Sequence, residues 1–193
     1  DYNAHGLYFV TMCTQNSKHW FGDVVDGKMK LNSFGKIVQD CWFDLPNHYS
    51  NCLLDAFVVM PNHVHGVVGI VGNGLQPFQN KTGLQPFRNE TGLQPFQNID
   101  EHEYRDEHKH EHKHEHEHRD GYKPSPTNKQ HGLPEIIRGF KTFSSKTINT
   151  TNPPHRFQWQ KSYYDHIIRN EQDLQRIREY IENNPFRWWL SRK

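Results

Sequence analysis

Two apolar runs, Leu53-Leu54-Asp55-Ala56-Phe57-Val58-Val59-Met60 and Val64-His65-Gly66-Val67-Val68-Gly69-Ile70-Val71, flank Pro61-Asn62-His63. Pro and Asn favour turns, so the stretch reads as a buried strand pair. Upstream, Tyr8-Phe9-Val10-Thr11-Met12-Cys13-Thr14 has the aromatic and β-branched content of another strand. Asp26-Gly27, set between Val24-Val25 and Lys28 to Leu31, reads as the turn of a small hairpin. From Ser33 to about Tyr49, the residues Phe34, Ile37, Val38, Cys41, Trp42 and Leu45 recur at helical spacing.

Downstream, a second helix is expected from Leu133, with Pro134 at its first position and Ile136, Ile137, Phe140 and Phe143 on its apolar face. Gln158 to Tyr164 reads as a further strand. A last helix starts after Asn170 as cap, buries Leu174, Ile177 and Ile181, and stops at Pro185. Strands mixed with helices at this length predict an α+β domain, with a mainly antiparallel sheet and helices packed on one face.

Residues 72–130 break this pattern. Gly-Leu-Gln-Pro-Phe occurs at 74–78, 83–87 and 92–96, and residues 101–120 alternate His with Glu and Lys. Repeated Pro and Gly exclude a helix or a central strand. Tandem duplication in a loop, followed by a solvated and disordered charge run, is the expected reading, with metal buffering by the histidines as the competing one. Residues 1–71 and 131–193 then form the two halves of one domain around this insertion.

The chain of 193 residues has a net charge of +1. Residues 1–71 hold 4 Lys/Arg against 6 Asp/Glu, and residues 131–193 hold 11 against 6. The basic surface is C-terminal, which suits a polyanionic partner. No apolar run is long enough to span a bilayer, and three widely spaced cysteines form no disulfide or zinc framework. A cytoplasmic protein with no membrane partner is expected.

The sharpest local feature is His63-Val64-His65. In a strand, residues two apart share a face, so the pair presents two imidazoles side by side while Val64 points away. Two histidines opening an apolar strand are costly to bury unless they serve as ligands. Tyr180 and Asn184 lie four residues apart, at the edge of the Leu174, Ile177, Ile181 stripe. They either supply a reactive hydroxyl and a third ligand, or are a boundary core residue and a helix cap. Arg138, Lys141, Lys146, Arg156, Lys161, Arg176 and Arg178 are candidates for tracking a polyanionic backbone, and Phe157, Trp159, Tyr163, Trp188 or Trp189 for aromatic stacking on such a partner.

Taken in order, Tyr8 to Asn16, Val59 to Gly66, Gly132-Leu133-Pro134 with Phe140-Lys141, Trp159-Gln160, Tyr163 to His166 and Glu179 to Pro185 resemble the REP-associated tyrosine transposases. These belong to the His-hydrophobic-His single-strand endonucleases. The resemblance implies a ferredoxin-like sheet with the His pair on a central strand. It also implies that His63, His65 and Asn184 bind Mg²⁺ or Mn²⁺ and that Tyr180 is the nucleophile. The implied reaction is transesterification at the foot of a palindromic hairpin of single-stranded DNA, through a 5′-phosphotyrosyl link, by a monomer or homodimer. A metal-dependent phosphodiester hydrolase and a non-catalytic nucleic-acid-binding module remain the alternatives.

Overall fold

The computed structural model describes residues 5–72, 130–151 and 156–192. The Gly-Leu-Gln-Pro-Phe repeats and the histidine run lie outside the described residues. Strand β1 (Gly6–Cys13) is followed by a 3-10 turn (Gln15–Ser17), then by the hairpin of β2 (Gly22–Val25) and β3 (Lys28–Leu31). Asp26 and Gly27 both have positive φ, 50° and 73°, as a two-residue turn matched to strand twist requires. Helix α1 (Ser33–Phe43) is capped by Asn32, whose side chain accepts from the Gly35 amide. The expected single helix to Tyr49 is broken at Asp44, where Pro46 denies the next turn an amide donor and starts the one-turn α2 (Leu45–His48).

Strands β4 (Cys52–Met60) and β5 (His63–Ile70) form the pair read from the apolar runs. Helix α3 (Leu133–Thr151), strand β6 (Tyr164–Ile168) and helices α4 (Glu171–Glu182) and α5 (Asn184–Leu190) complete the chain. The sheet order is β4-β5-β1-β6, with every pairing antiparallel. With α1 and α3 as the crossovers, this is the β-α-β-β-α-β order of a ferredoxin-like sheet.

Side-chain alternation divides the two faces of the sheet. Tyr8, Val10, Met12, Val64 and Val68 pack with Val38 and Trp42 of α1 and with Ile136, Ile137 and Phe140 of α3. Gly66 belongs to this face, because a Cβ there would run into the ring of Trp42, which stacks on Phe57 at 4.5 Å. Leu7, Phe9, Val67 and Ile168 pack instead with Leu174, Ile177 and Ile181 of α4. The expectation of helices on one face therefore holds for the two crossover helices and not for α4, whose apolar stripe needs the opposite face. Arg178 ties α4 to β4 through two hydrogen bonds to Asp55, at 2.9 and 2.8 Å.

Two expected boundaries move. Gln158 to Tyr164 is not the strand: it makes one isolated bridge, Thr14 to Trp159, and β6 begins at Tyr164. The Lys141 ammonium takes the carbonyls of Gln160 and Ser162, at 3.0 and 2.9 Å, which diverts that backbone from the ladder. Helical structure also continues past Pro185. Helix α4 ends at Glu182, Asn183 serves as cap, and α5 restarts with Pro185 in its first turn, where a missing amide costs nothing.

Candidate active site

β1 and β5 place Thr11 opposite His65 and Cys13 opposite His63. Both imidazoles emerge on the α4 face, at the end of the sheet where β5 begins. Their Nε2 atoms are 3.1 Å apart, and each Nδ1 has its own partner: Asn62 Oδ1 at 2.7 Å for His63, and Thr11 Oγ1 at 2.8 Å for His65. The ring of Phe9 lies against His65 at 5.5 Å. Burial pushes His63 down to about 4, and burial together with the neighbouring His63 pushes His65 down to about 3. Two neutral imidazoles with converging Nε2 atoms suit a divalent cation, which protonated rings would repel.

Helix α4 brings Tyr180 to the same place. Its hydroxyl is 3.5 Å from His65 Nε2, and its ring meets Phe9 edge-on at 6.0 Å. The residue is 36 % exposed, so the phenol is anchored on one side and open on the other. The Arg187 guanidinium lies 5.8 Å from the Tyr180 ring centre. Trp188 of α5 packs against His63 at 5.7 Å. Asn184 sits between Tyr180 and Trp188 in the chain, four residues from each, and is buried. Asn184 opens α5, one residue past the cap that separates it from the helix carrying Tyr180. Among the described contacts, none joins its amide to either imidazole. Among the described residues, no group of three or more His, Cys, Asp or Glu could hold a metal ion.

The cationic and aromatic candidates divide sharply. Arg138, Arg156 and Lys161 gather with Gln15, Asn16 and Gln158 around a groove of about 950 Å³ whose lining, among the described residues, includes no Asp or Glu. Lys141 also borders it, but its ammonium is engaged by backbone carbonyls and lies over the Tyr163 ring. Arg178 is paired with Asp55 through two hydrogen bonds. Arg176 stands apart, in a hollow between β6 and α4 that also holds Asp165 and Asp173. Lys146 lies exposed on α3, outside the groove lining. Phe157 and Trp159 are core residues, and the Trp159 indole donates to Ser144 Oγ at 3.0 Å, so neither can stack on a base. Tyr163 borders the groove, while Trp188 and Trp189 are half-buried on α5. Sequence reasoning missed Thr11 and Asn62. Asn62 had a visible signal in its place beside His63, but the pairing of Thr11 with His65 required the strand register.

Residues 107–184 match the family described as "Transposase IS200 like". The match includes Tyr180 and Asn184 and leaves His63 and His65 outside it. An uncharacterized protein of Haemophilus influenzae is 29 % identical over 188 residues, covering 97 % of this chain and 84 % of its own. A solved REP-associated tyrosine transposase bound to a REP hairpin overlays with a TM-score of 0.49 at 13 % identity, covering 95 % of this chain and 68 % of that one. A candidate transposase of Deinococcus radiodurans overlays with a TM-score of 0.44 at 17 % identity, covering 93 % and 91 %. No helix among the described residues is long and apolar enough to cross a membrane.

Proposed function

We propose, from the match of residues 107–184 to the IS200-like transposase family, that this protein cleaves single-stranded DNA by transesterification, with Tyr180 as nucleophile beside a metal centre of His63, His65 and Asn184. One observation carries the reading. The Tyr180 hydroxyl lies 3.5 Å from a histidine nitrogen that is itself 3.1 Å from a second one, on the face of the sheet that α4 covers.

A Mg²⁺ or Mn²⁺ ion bound here would supply Lewis-acid polarisation of a scissile phosphate. The remaining work falls to the chain itself. Burial keeps His63 and His65 uncharged at neutral pH, so each ring has one nitrogen lone pair to offer a cation. Phe9 and Trp188 wall the imidazoles and limit water around them. Tyr180 is held against Phe9, with its hydroxyl free to meet an incoming phosphorus atom. The Oη–P bond forms as the bond from phosphorus to the 3′ oxygen breaks. The phenol proton passes to water, and the departing 3′ oxygen takes one up. The phosphodiester energy is kept in a 5′-phosphotyrosyl link for later strand joining.

The groove bordered by Arg138, Arg156 and Lys161 would give the rest of the DNA a cationic path. From the resemblance of its motifs, the substrate is the foot of a repetitive palindromic hairpin with a single-stranded flank. A 3′-labelled hairpin oligonucleotide, incubated with the protein and Mn²⁺ and run on a denaturing gel, should yield a labelled protein adduct that Tyr180→Phe abolishes. Cleavage that persists in Tyr180→Phe would instead mark a metal-dependent hydrolase.

A further inference from the structure

The turn between β4 and β5 is held by more bonds than a two-residue hairpin loop needs. The Pro61 carbonyl accepts from the amides of Trp20 and Phe21, at 2.8 and 3.2 Å, and the Asn62 carbonyl accepts from the amide of Thr14 at 2.9 Å. These are backbone bonds, so the position of Asn62 does not depend on its side chain. The side chain then bridges two neighbours. Nδ2 donates to the Ser17 carbonyl at 3.2 Å, and Oδ1 lies 2.7 Å from His63 Nδ1.

An amide oxygen can only accept, and the other end of this amide is already donating, so His63 Nδ1 must carry the ring proton. The lone pair is left on Nε2, the atom 3.1 Å from His65 Nε2. Ser17 adds a second observation. Asn16 and Ser17 have φ of 57° and 51°, a left-handed backbone that non-glycine residues keep only when neighbours hold it. The same loop contributes Gln15 and Asn16 to the basic groove.

We propose that Asn62 is a positioning residue of the histidine centre: it selects the Nδ1–H tautomer of His63, orients Nε2 toward His65, and ties that ring to the groove-lining loop at Gln15–Ser17. The inference rests on the reading of His63 as a metal ligand. Metal-binding imidazoles ordinarily donate their second ring N–H to a carboxylate, a carbonyl or a water. An amide does the same work without adding negative charge where a phosphate must approach.

The tautomer is read directly, without metal, from long-range ¹H–¹⁵N spectra of histidine-labelled protein in EDTA, with His63 assigned by loss of its signals in His63→Gln. The parent should show His63 as Nδ1–H. Asn62→Ala should shift it toward the Nε2–H form that free histidine prefers. Asn62→Asp keeps the acceptor and loses the donor to Ser17, and should retain Nδ1–H. Calorimetric Mn²⁺ affinity should fall about 10- to 100-fold in Asn62→Ala and recover in Asn62→Asp. A parent His63 in the Nε2–H form overturns the proposal, as does Asn62→Ala with parental tautomer and affinity. Asn62→Asp as weak as Asn62→Ala also overturns it, because the bond to Ser17 would then be what matters. A parent that binds no Mn²⁺ sinks the reading of the site, and the tautomer spectra still judge the role of Asn62 by themselves.

Discussion

Arg178 reads from sequence as a contact for the DNA backbone, whereas the structure makes it the clamp between α4 and β4, and Arg178→Ala separates the two roles. The substitution removes hydrogen bonds of 2.9 and 2.8 Å and leaves Asp55, with its side chain 11 % exposed, without its cationic partner. An exposed ion pair contributes about 0–1 kcal/mol, and breaking a buried one costs about 3–5 kcal/mol. With the Arg178 side chain 25 % exposed, this pair falls between the two, at about 2 kcal/mol. For a domain of this size that lowers Tm by roughly 6–10 °C. Adding Asp55→Ala should restore part of the loss, because no unpaired carboxylate then remains. Affinity for a single-stranded oligonucleotide, measured by fluorescence anisotropy on folded protein across a salt series, should keep its slope. A true phosphate contact would instead reduce the slope of log K against log salt by about 0.7. An unchanged Tm together with that reduced slope would refute the clamp.

Tyr180→Phe should leave Tm within a few degrees, since the hydroxyl makes one long contact at 3.5 Å, and should abolish the covalent adduct on a denaturing gel. In EDTA, urea unfolding should become easier as pH falls. Above pH 6.5 both histidines are neutral in both states. Below it the unfolded chain takes up protons that the folded one refuses until about pH 4 for His63 and about pH 3 for His65. The loss by pH 5 should be about 1–2 kcal/mol per imidazole, and a flat profile, or one unchanged in a His63→Gln/His65→Gln variant, counts against their burial. Gly66→Ala should cost about 1–3 kcal/mol by overpacking Trp42, as denaturant titration would read. Replacing residues 73–129 with a short Gly-Ser linker should preserve cooperative unfolding and adduct formation. Asn51 already holds both flanking segments, accepting from the Val71 amide at 3.0 Å and donating to the His131 carbonyl at 2.9 Å.

The β4–β5 pair, the hairpin at Asp26-Gly27, the cap at Asn170 and the apolar stripes of α1, α3 and α4 were legible because each is a local pattern with a local cause. The failures share a different origin. Nothing in Gln158 to Tyr164 announces that Lys141, a residue on α3, will take the carbonyls of Gln160 and Ser162, so a stretch with strand composition lacks a strand's ladder. Pro185 reads as a stop because proline ends helices, but it also starts them, and here it stands in the first turn of α5. For Arg178, Phe157 and Trp159 the structure gives a different reading from the sequence, for one reason. A basic or aromatic residue in a basic region looks like a ligand contact until its partner is known, and those partners, Asp55 and the Ser144 hydroxyl among them, lie elsewhere in the sequence.

The candidate site was legible to the extent that it is built from periodicity. Strand alternation puts His63 and His65 on one side of β5, and helix periodicity puts Tyr180 beside the stripe that buries α4. That these are the same side of the sheet follows from a further constraint. Val64 and Val68 commit one face to the crossover helices, so the odd-numbered residues of β1 and β5 need a separate cover. Leu174, Ile177 and Ile181 supply it, and Tyr180, adjacent to Ile181, arrives at the histidines as a consequence of that packing. The apolar contacts of α4 and its clamp to Asp55 therefore set the distance between Tyr180 and His65. Changes that loosen this helix should slow the chemistry even where they touch neither residue.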